Sequence, residues 1–131
     1  MNKKELRLQR LNNHYSALER LAKLAGSKIT DGKKLSLKLL KIERHFTKCS
    51  TDFCNGKITD NSFDIIYAVT GAQIEELLPD ISGLYINCDP RGYGLKIDLD
   101  KIKDIAIKES YSNLGLERDW GGYLLLSPEI D

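Results

Sequence analysis

The apolar residues Leu8, Leu11, Tyr15, Leu18, Ala22 and Ala25 recur at alternating steps of three and four, which places them on one stripe of a helix. The pattern predicts a first helix over 3–25, ended by Gly26, with 26–32 as a loop. A second stripe, Leu35, Leu39, Ile42, Phe46, Cys49 and Phe53, predicts a helix over 33–54 closed by Asn55-Gly56, residues that readily take a left-handed cap. Two long helices with a short connection predict an antiparallel hairpin. Thr59-Asp60 offers an N-cap, and Phe63, Ile66, Thr70, Ile74 and Leu77 keep helical spacing up to Pro79. A third helix over 60–78 follows. Gly71 and the β-prone run Ile65 to Val69 oppose it, because a break at Thr70-Gly71 would leave only 72–78 helical.

Beyond Pro79 the period changes. Residues 84–88 and 93–98 read as two strands around Asp89-Pro90-Arg91-Gly92, whose Asp, Pro and Gly occupy the positions a type I turn prefers. Pairing Cys88 with Tyr93, Ile86 with Leu95 and Leu84 with Ile97 gathers the mostly apolar residues on one face, leaving Tyr85, Asn87, Gly94, Lys96 and Asp98 on the other. Residues 99–109 read as a short helix through Leu99, Ile102 and Ala106, although Ile105 and Ile107 also alternate like a strand. Residues 123–126, bounded by Gly122 and Ser127-Pro128, read as a buried strand. The expected fold class is α+β: an N-terminal antiparallel helical hairpin plus a third helix, packed with a small C-terminal antiparallel β-sheet, in a single domain over 1–131.

At 131 residues, 41% hydrophobic and 30% charged, the composition is that of a soluble globular chain with enough apolar material for a core. The longest apolar run, Ile65 to Val69, is far short of a membrane span or a secretory leader. Three cysteines, Cys49, Cys54 and Cys88, are too few and odd in number for a disulfide framework, so the expected compartment is a reducing cytoplasm. The net charge of +1 conceals a partition. Residues 1–57 carry 14 Lys/Arg against 5 Asp/Glu, a net of +9, and residues 58–131 carry 6 against 14, a net of −8. The basic half is a candidate nucleic-acid surface through Lys33, Lys34, Lys38, Lys41, Arg44 and Lys48.

His45 and Cys49 stand one helical turn apart and could join Cys54 and Cys88 in a metal site, but no paired C-x-x-C is present and free cysteines are ordinarily core residues. No metal and no cofactor is expected. A His45–Cys49 catalytic pair would lie on a buried stripe, a poor place to receive a substrate. Gly92-Tyr93-Gly94 and Gly121-Gly122 match no phosphate-cradling pattern and open no helix, so their expected task is backbone geometry, with Gly94 admitting a neighbouring aromatic ring. The best candidate partner-binding cluster is Asp89, Arg91, Tyr93, Lys96, Asp119, Trp120 and Tyr123. It gathers at one end of the sheet if the strand ending at Asp98 pairs with one starting near Trp120. The competing reading has Asp119 paired with Arg91 or Lys96 and the aromatics filling core.

At these residues the chain resembles a family of small uncharacterised proteins of bacteriophages and other mobile elements. The matching stretches are Asp89 to Ile97 and Asp119 to Tyr123, preceded by Cys54-Asn55-Gly56, and the likeness covers mostly 54–128. The chain departs from it at Leu124, where the second motif often continues with another glycine. The resemblance brings no catalytic residue. It implies a phage or mobile-element setting, in which small proteins often block a host or defence protein. The expected function is therefore a non-enzymatic, phage-type binding protein, an anti-CRISPR-like inhibitor in the bacterial cytoplasm that occupies the surface of a host or defence-system protein. Its contact surface would be the basic hairpin face or an acidic one including Asp98, Asp100 and Asp104, which could imitate phosphate. The alternatives are a nucleic-acid-binding module using the basic hairpin and a small nucleotide binder or enzyme built on Arg91, Lys96 and Asp119.

Overall fold

The computed structural model describes residues 1–127. Its elements are α1 (Lys3–Leu24), α2 (Gly32–Cys54), α3 (Asp60–Leu77), β1 (Leu84–Ile86), β2 (Leu95–Ile97), a 3-10 turn (Leu99–Lys101), α4 (Ile105–Ser112) and β3 (Leu124–Leu125). The fold is α+β. Pro128, read as the residue that bounds the last strand, lies outside the described residues.

Each long helix begins on a side chain that satisfies an otherwise orphaned amide: Asn2 accepts from Glu5 N–H, Asp31 from Lys34 N–H and Thr59 from Ser62 N–H. The α2 stripe is buried as its spacing predicts, with Leu35, Leu39 and Phe46 wholly enclosed. Phe46 and Phe53 meet Phe63 of α3 at ring-centroid distances of 5.9 and 4.4 Å. Full burial of each large apolar side chain contributes about 1.5–3 kcal/mol. Helix α3 runs through Thr70-Gly71 without a break. Thr70 Oγ1 donates to Ile66 O at 2.8 Å, which absorbs its hydroxyl within the helix.

The α1 stripe is rotated and shortened. Residues 1–10 are all exposed, Leu8 among them, while His14, Ala17, Leu18, Leu21, Ala22 and Ala25 form the buried face. Sequence spacing marks a face but not where along the helix its covering ends. At His14 the covering includes β3's end: ring Nε2 lies 3.2 Å from Leu126 O. A carbonyl only accepts, so Nε2 carries the proton and buried Nδ1 is left without a partner.

The sheet order is β1-β2-β3, antiparallel throughout. Leu84 faces Ile97 and Ile86 faces Leu95, the register that alternation predicts. The strands are shorter than 84–88 and 93–98. Asn87 N–H still donates to Gly94 O at 2.8 Å, but the Asn87 side chain then accepts from Asp89 N–H and turns the chain. Cys88, expected on the inward face opposite Tyr93, is exposed.

The single helix expected over 99–109 is two pieces. Asp98 caps the 3-10 turn by accepting from Asp100 N–H, and Asp104 caps α4 by accepting from Ala106 and Ile107 N–H. Between them the backbone is extended at Ile102, whose side chain is buried in the core. A capping aspartate holds a non-helical conformation at its own position, so Asp104 interrupts what apolar spacing alone would continue.

Burial pushes the His14 imidazole below its ordinary 6.5, against smaller raising effects from the Leu126 carbonyl and the Glu117 charge. The unfolded chain therefore binds the proton more readily than the folded one. The stability contributed by neutral His14 is present above pH 6.5 and is lost as pH falls from there through the folded-state value. Urea unfolding at pH 7.5, 6.5 and 5.5 is expected to show this fall in the native chain and a flatter profile in His14→Gln. Identical profiles would assign the fall to other groups.

Candidate functional site

The antiparallel pairing of β2 with β3 is present, with Ile97 opposite Leu124, but it separates the candidate cluster rather than gathering it. The turn carrying Asp89 and Arg91 leaves the sheet beside Ile86 and Leu95. The turn carrying Asp119 to Tyr123 enters β3 beside Ile97, at the other end. A strand that pairs antiparallel with β2 and ends near the first turn must begin at the end remote from it.

At the first end Gly92 N–H donates to Asp89 O at 3.2 Å, closing the expected turn. Arg91 lies back on Asp89, with Nη2 2.9 Å from Oδ2. The Arg91 hydrogen bonds hold the Asp89 carboxyl below its ordinary range. Tyr93 lines an open groove with Leu40, Arg44 and Thr47 of α2. Gly94 sits under Glu43 of α2, not under an aromatic ring: a Cβ there would lie 3.0 Å from Glu43 Cγ. Buried Glu43 accepts from Gly94 N–H at 2.9 Å and from the Ser127 hydroxyl. Glu43 is not singled out by sequence reasoning, although a carboxylate at a stripe position of α2 between Leu39 and Phe46 is a signal that could have found it.

At the other end Lys96, Asp119 and Tyr123 come together, and Tyr85 and Lys101 join them. Lys96 Nζ lies 2.8 Å from Asp119 Oδ2, and both side chains are only 10% exposed. Tyr85 and Tyr123 stack with centroids 5.3 Å apart, Lys96 lies 5.2 Å over Tyr123, and Lys101 lies 5.2 Å over Tyr85. Tyr85 was reachable from sequence, since the register places it opposite Lys96. Asp119 also holds the turn. Its Oδ1 accepts from Gly121 and Tyr123 N–H at 2.9 and 3.0 Å, and its carbonyl accepts from Gly122 N–H at 3.0 Å. Burial pushes the Asp119 carboxyl up, but the Lys96 hydrogen bond, the Tyr123 amide, the Lys96 charge and the Gly121 amide outweigh it and hold it below its ordinary range. Asp119 thus pairs with Lys96, as the competing reading held, while Trp120 does not fill core: it is 102% exposed.

Beside this turn is a cleft of about 360 Å³ lined by Asp98, Asp100, Lys108, Arg118 and Tyr123, among others. Asp98 and Asp104 serve as caps and Asp100 lies 3.7 Å from Lys108 Nζ, so the acidic surface is partly engaged within the fold. Cys49 is buried with Sγ 3.7 Å from His45 Nε2, while Cys54 and Cys88 are exposed. Among the described residues no group of three or more His, Cys, Asp or Glu is placed to hold a metal ion. No helix is long and apolar enough to cross a membrane among the described residues. Comparison with protein-family models, curated proteins and solved structures finds no match to this chain.

Proposed function

We propose that the chain is a non-enzymatic binding protein that acts by occupying a partner protein's surface, with the Trp120 turn as its anchor. The observation that carries this is a wholly exposed tryptophan on a turn fixed by three hydrogen bonds to Asp119 and by the Lys96 pair. Exposed, pre-ordered aromatics are the groups that dominate binding energy at interfaces, because little conformational entropy is lost when they dock. The likeness of the turn sequences to the phage and mobile-element family supports an inhibitor of a bacterial defence system as the setting. Within it, Trp120 would fill an apolar pocket on the defence protein.

Immobilised protein is expected to capture a specific partner from a bacterial lysate containing such a system, and Trp120→Ala is expected to weaken that complex about 30-fold or more, equivalent to about 2 kcal/mol. Because Trp120 makes no core contact, the variant is expected to keep the parent's melting temperature. A partner captured with unchanged affinity by Trp120→Ala would overturn the anchor.

A further inference from the structure

The exposed face of α2 carries a second surface, independent of the Trp120 turn. Lys33, Lys34, Lys38, Lys41, Arg44 and Lys48 are all exposed. At 100° per residue they fall within less than half of the helix circumference, and at 1.5 Å per residue they extend over about 22 Å. Between Asp31 and Asp52 α2 has one carboxylate, Glu43, and it is turned inward onto Gly94 and Ser127. The only anion within the row is thereby withdrawn from it, and the next carboxylate of the helix, Asp52, stands one turn beyond Lys48 at the end of the row. None of the six cations takes part in an ion pair among the described residues. The nearest margin is a cleft where Lys38 and Lys41 adjoin Glu76 of α3.

From this placement we infer that the α2 face binds nucleic acid through its phosphodiester backbone. Five of the six cations are lysines, compact point charges suited to phosphate, whereas lysine is depleted at protein–protein interfaces. Leu37 is the one large apolar side chain exposed within the stripe, so the face lacks the apolar core that a protein partner would require. A linear row of cations with no anion between them matches a linear polyanion. At the Arg44 end the row meets the groove that Tyr93 lines, which offers an aromatic edge to an unpaired base.

The test is fluorescence anisotropy of the whole protein with a labelled 20-base-pair DNA duplex and, separately, a 20-nucleotide single strand. Binding is expected at 50 mM salt and is expected to weaken about a thousandfold by 200 mM on the duplex, a logarithmic slope of about −5 if all six cations contact phosphate. A tighter single-strand complex would place Tyr93 in contact with bases; a tighter duplex complex would assign recognition to the backbone row alone. Lys38→Glu/Lys41→Glu/Lys48→Glu is expected to lose binding at least 30-fold more than Lys28→Glu/Lys57→Glu/Lys103→Glu, which changes net charge equally at exposed positions off this face. Circular dichroism checks that both variants keep their helix content, and Trp120→Ala is expected to bind DNA like the parent. No binding to either probe at 50 mM salt, a slope shallower than −2, or equal losses in the two triple variants would overturn the inference. Displacement of the single strand by poly-glutamate at equal charge concentration would overturn it in favour of an acidic protein surface.

Discussion

Replacing Asp119 by Ala is expected to lower the unfolding free energy by about 3 kcal/mol or more, a large share of a small domain's stability. Two losses combine. Lys96 Nζ, nine-tenths buried and 2.8 Å from Asp119, keeps its charge and loses its partner, and an uncompensated buried charge is far costlier than a missing surface pair. The amides of Gly121 and Tyr123 also lose the oxygen that receives them, at about 1 kcal/mol each. Asp119→Asn separates the two effects, because its amide oxygen can still accept from the turn while the charge is gone. In Lys96→Met/Asp119→Asn neither charge remains, and most of the stability is expected to return. Urea unfolding at pH 7 measures all three. A loss below 1 kcal/mol in Asp119→Ala would mean that Lys96 reaches water without disturbing the sheet. The acid limb follows from the same pair. The Asp119 carboxyl is held below its ordinary 3.8 in the folded chain, so the unfolded chain takes up the proton first. The contribution is complete above about pH 4 and is lost as pH falls through the folded-state value. Asp119→Asn is expected to lack that limb.

The parts of this fold legible in the sequence are those governed by local period. Leu35, Leu39, Phe46 and Cys49 mark the α2 face, and the alternation from Leu84 to Ile86 and from Leu95 to Ile97 sets the hairpin register, because a slip by one residue would turn one of the two sets outward. The features that escaped are non-local or competitive. Leu8 fits its stripe but lies where no other element covers α1. Asp104 could be read as a helix-interior residue or as a cap, and only the burial of Ile102 decides for the cap. Glu43 reaches Gly94, 51 positions away, a contact that no window of sequence contains. For the candidate cluster, sequence could bring Lys96 and Asp119 together by pairing β2 with β3, but the antiparallel direction of that pairing sends Arg91 to the far end. For Trp120 the sequence offers a place in the binding cluster and, in the competing reading, a place in the core, where tryptophan is found on average. The glycines after it and the Asp119 turn hold it outside instead.

Two glycine-to-alanine substitutions are expected to change stability in opposite directions, although both glycines lie within α-helices. At Gly32, the first residue of α2, an added Cβ would fall far inside the van der Waals contact distance of the Tyr15 carbonyl oxygen of α1 and would meet Glu19 Cγ at 3.0 Å. The obstacle is backbone, so no rotamer change relieves it. The α1–α2 interface, with Leu18, Leu21 and Leu35 fully buried beside it, must separate or shift. Gly32→Ala is expected to cost about 3 kcal/mol, at the upper end for overpacking. At Gly71, in the middle of α3, an added Cβ would meet nothing within 4 Å. The helix already runs through this position, so alanine only narrows the unfolded ensemble and raises helix propensity. Gly71→Ala is expected to stabilise the protein by about 0.5–1 kcal/mol. Thermal and urea unfolding of the two variants side by side test both signs. If Gly32→Ala were also stabilising, α1 and α2 would have to meet with more clearance than the Tyr15 contact allows. Destabilisation by Gly71→Ala would mean that this exposed side of α3 is covered when the protein is assembled with a partner or a second copy.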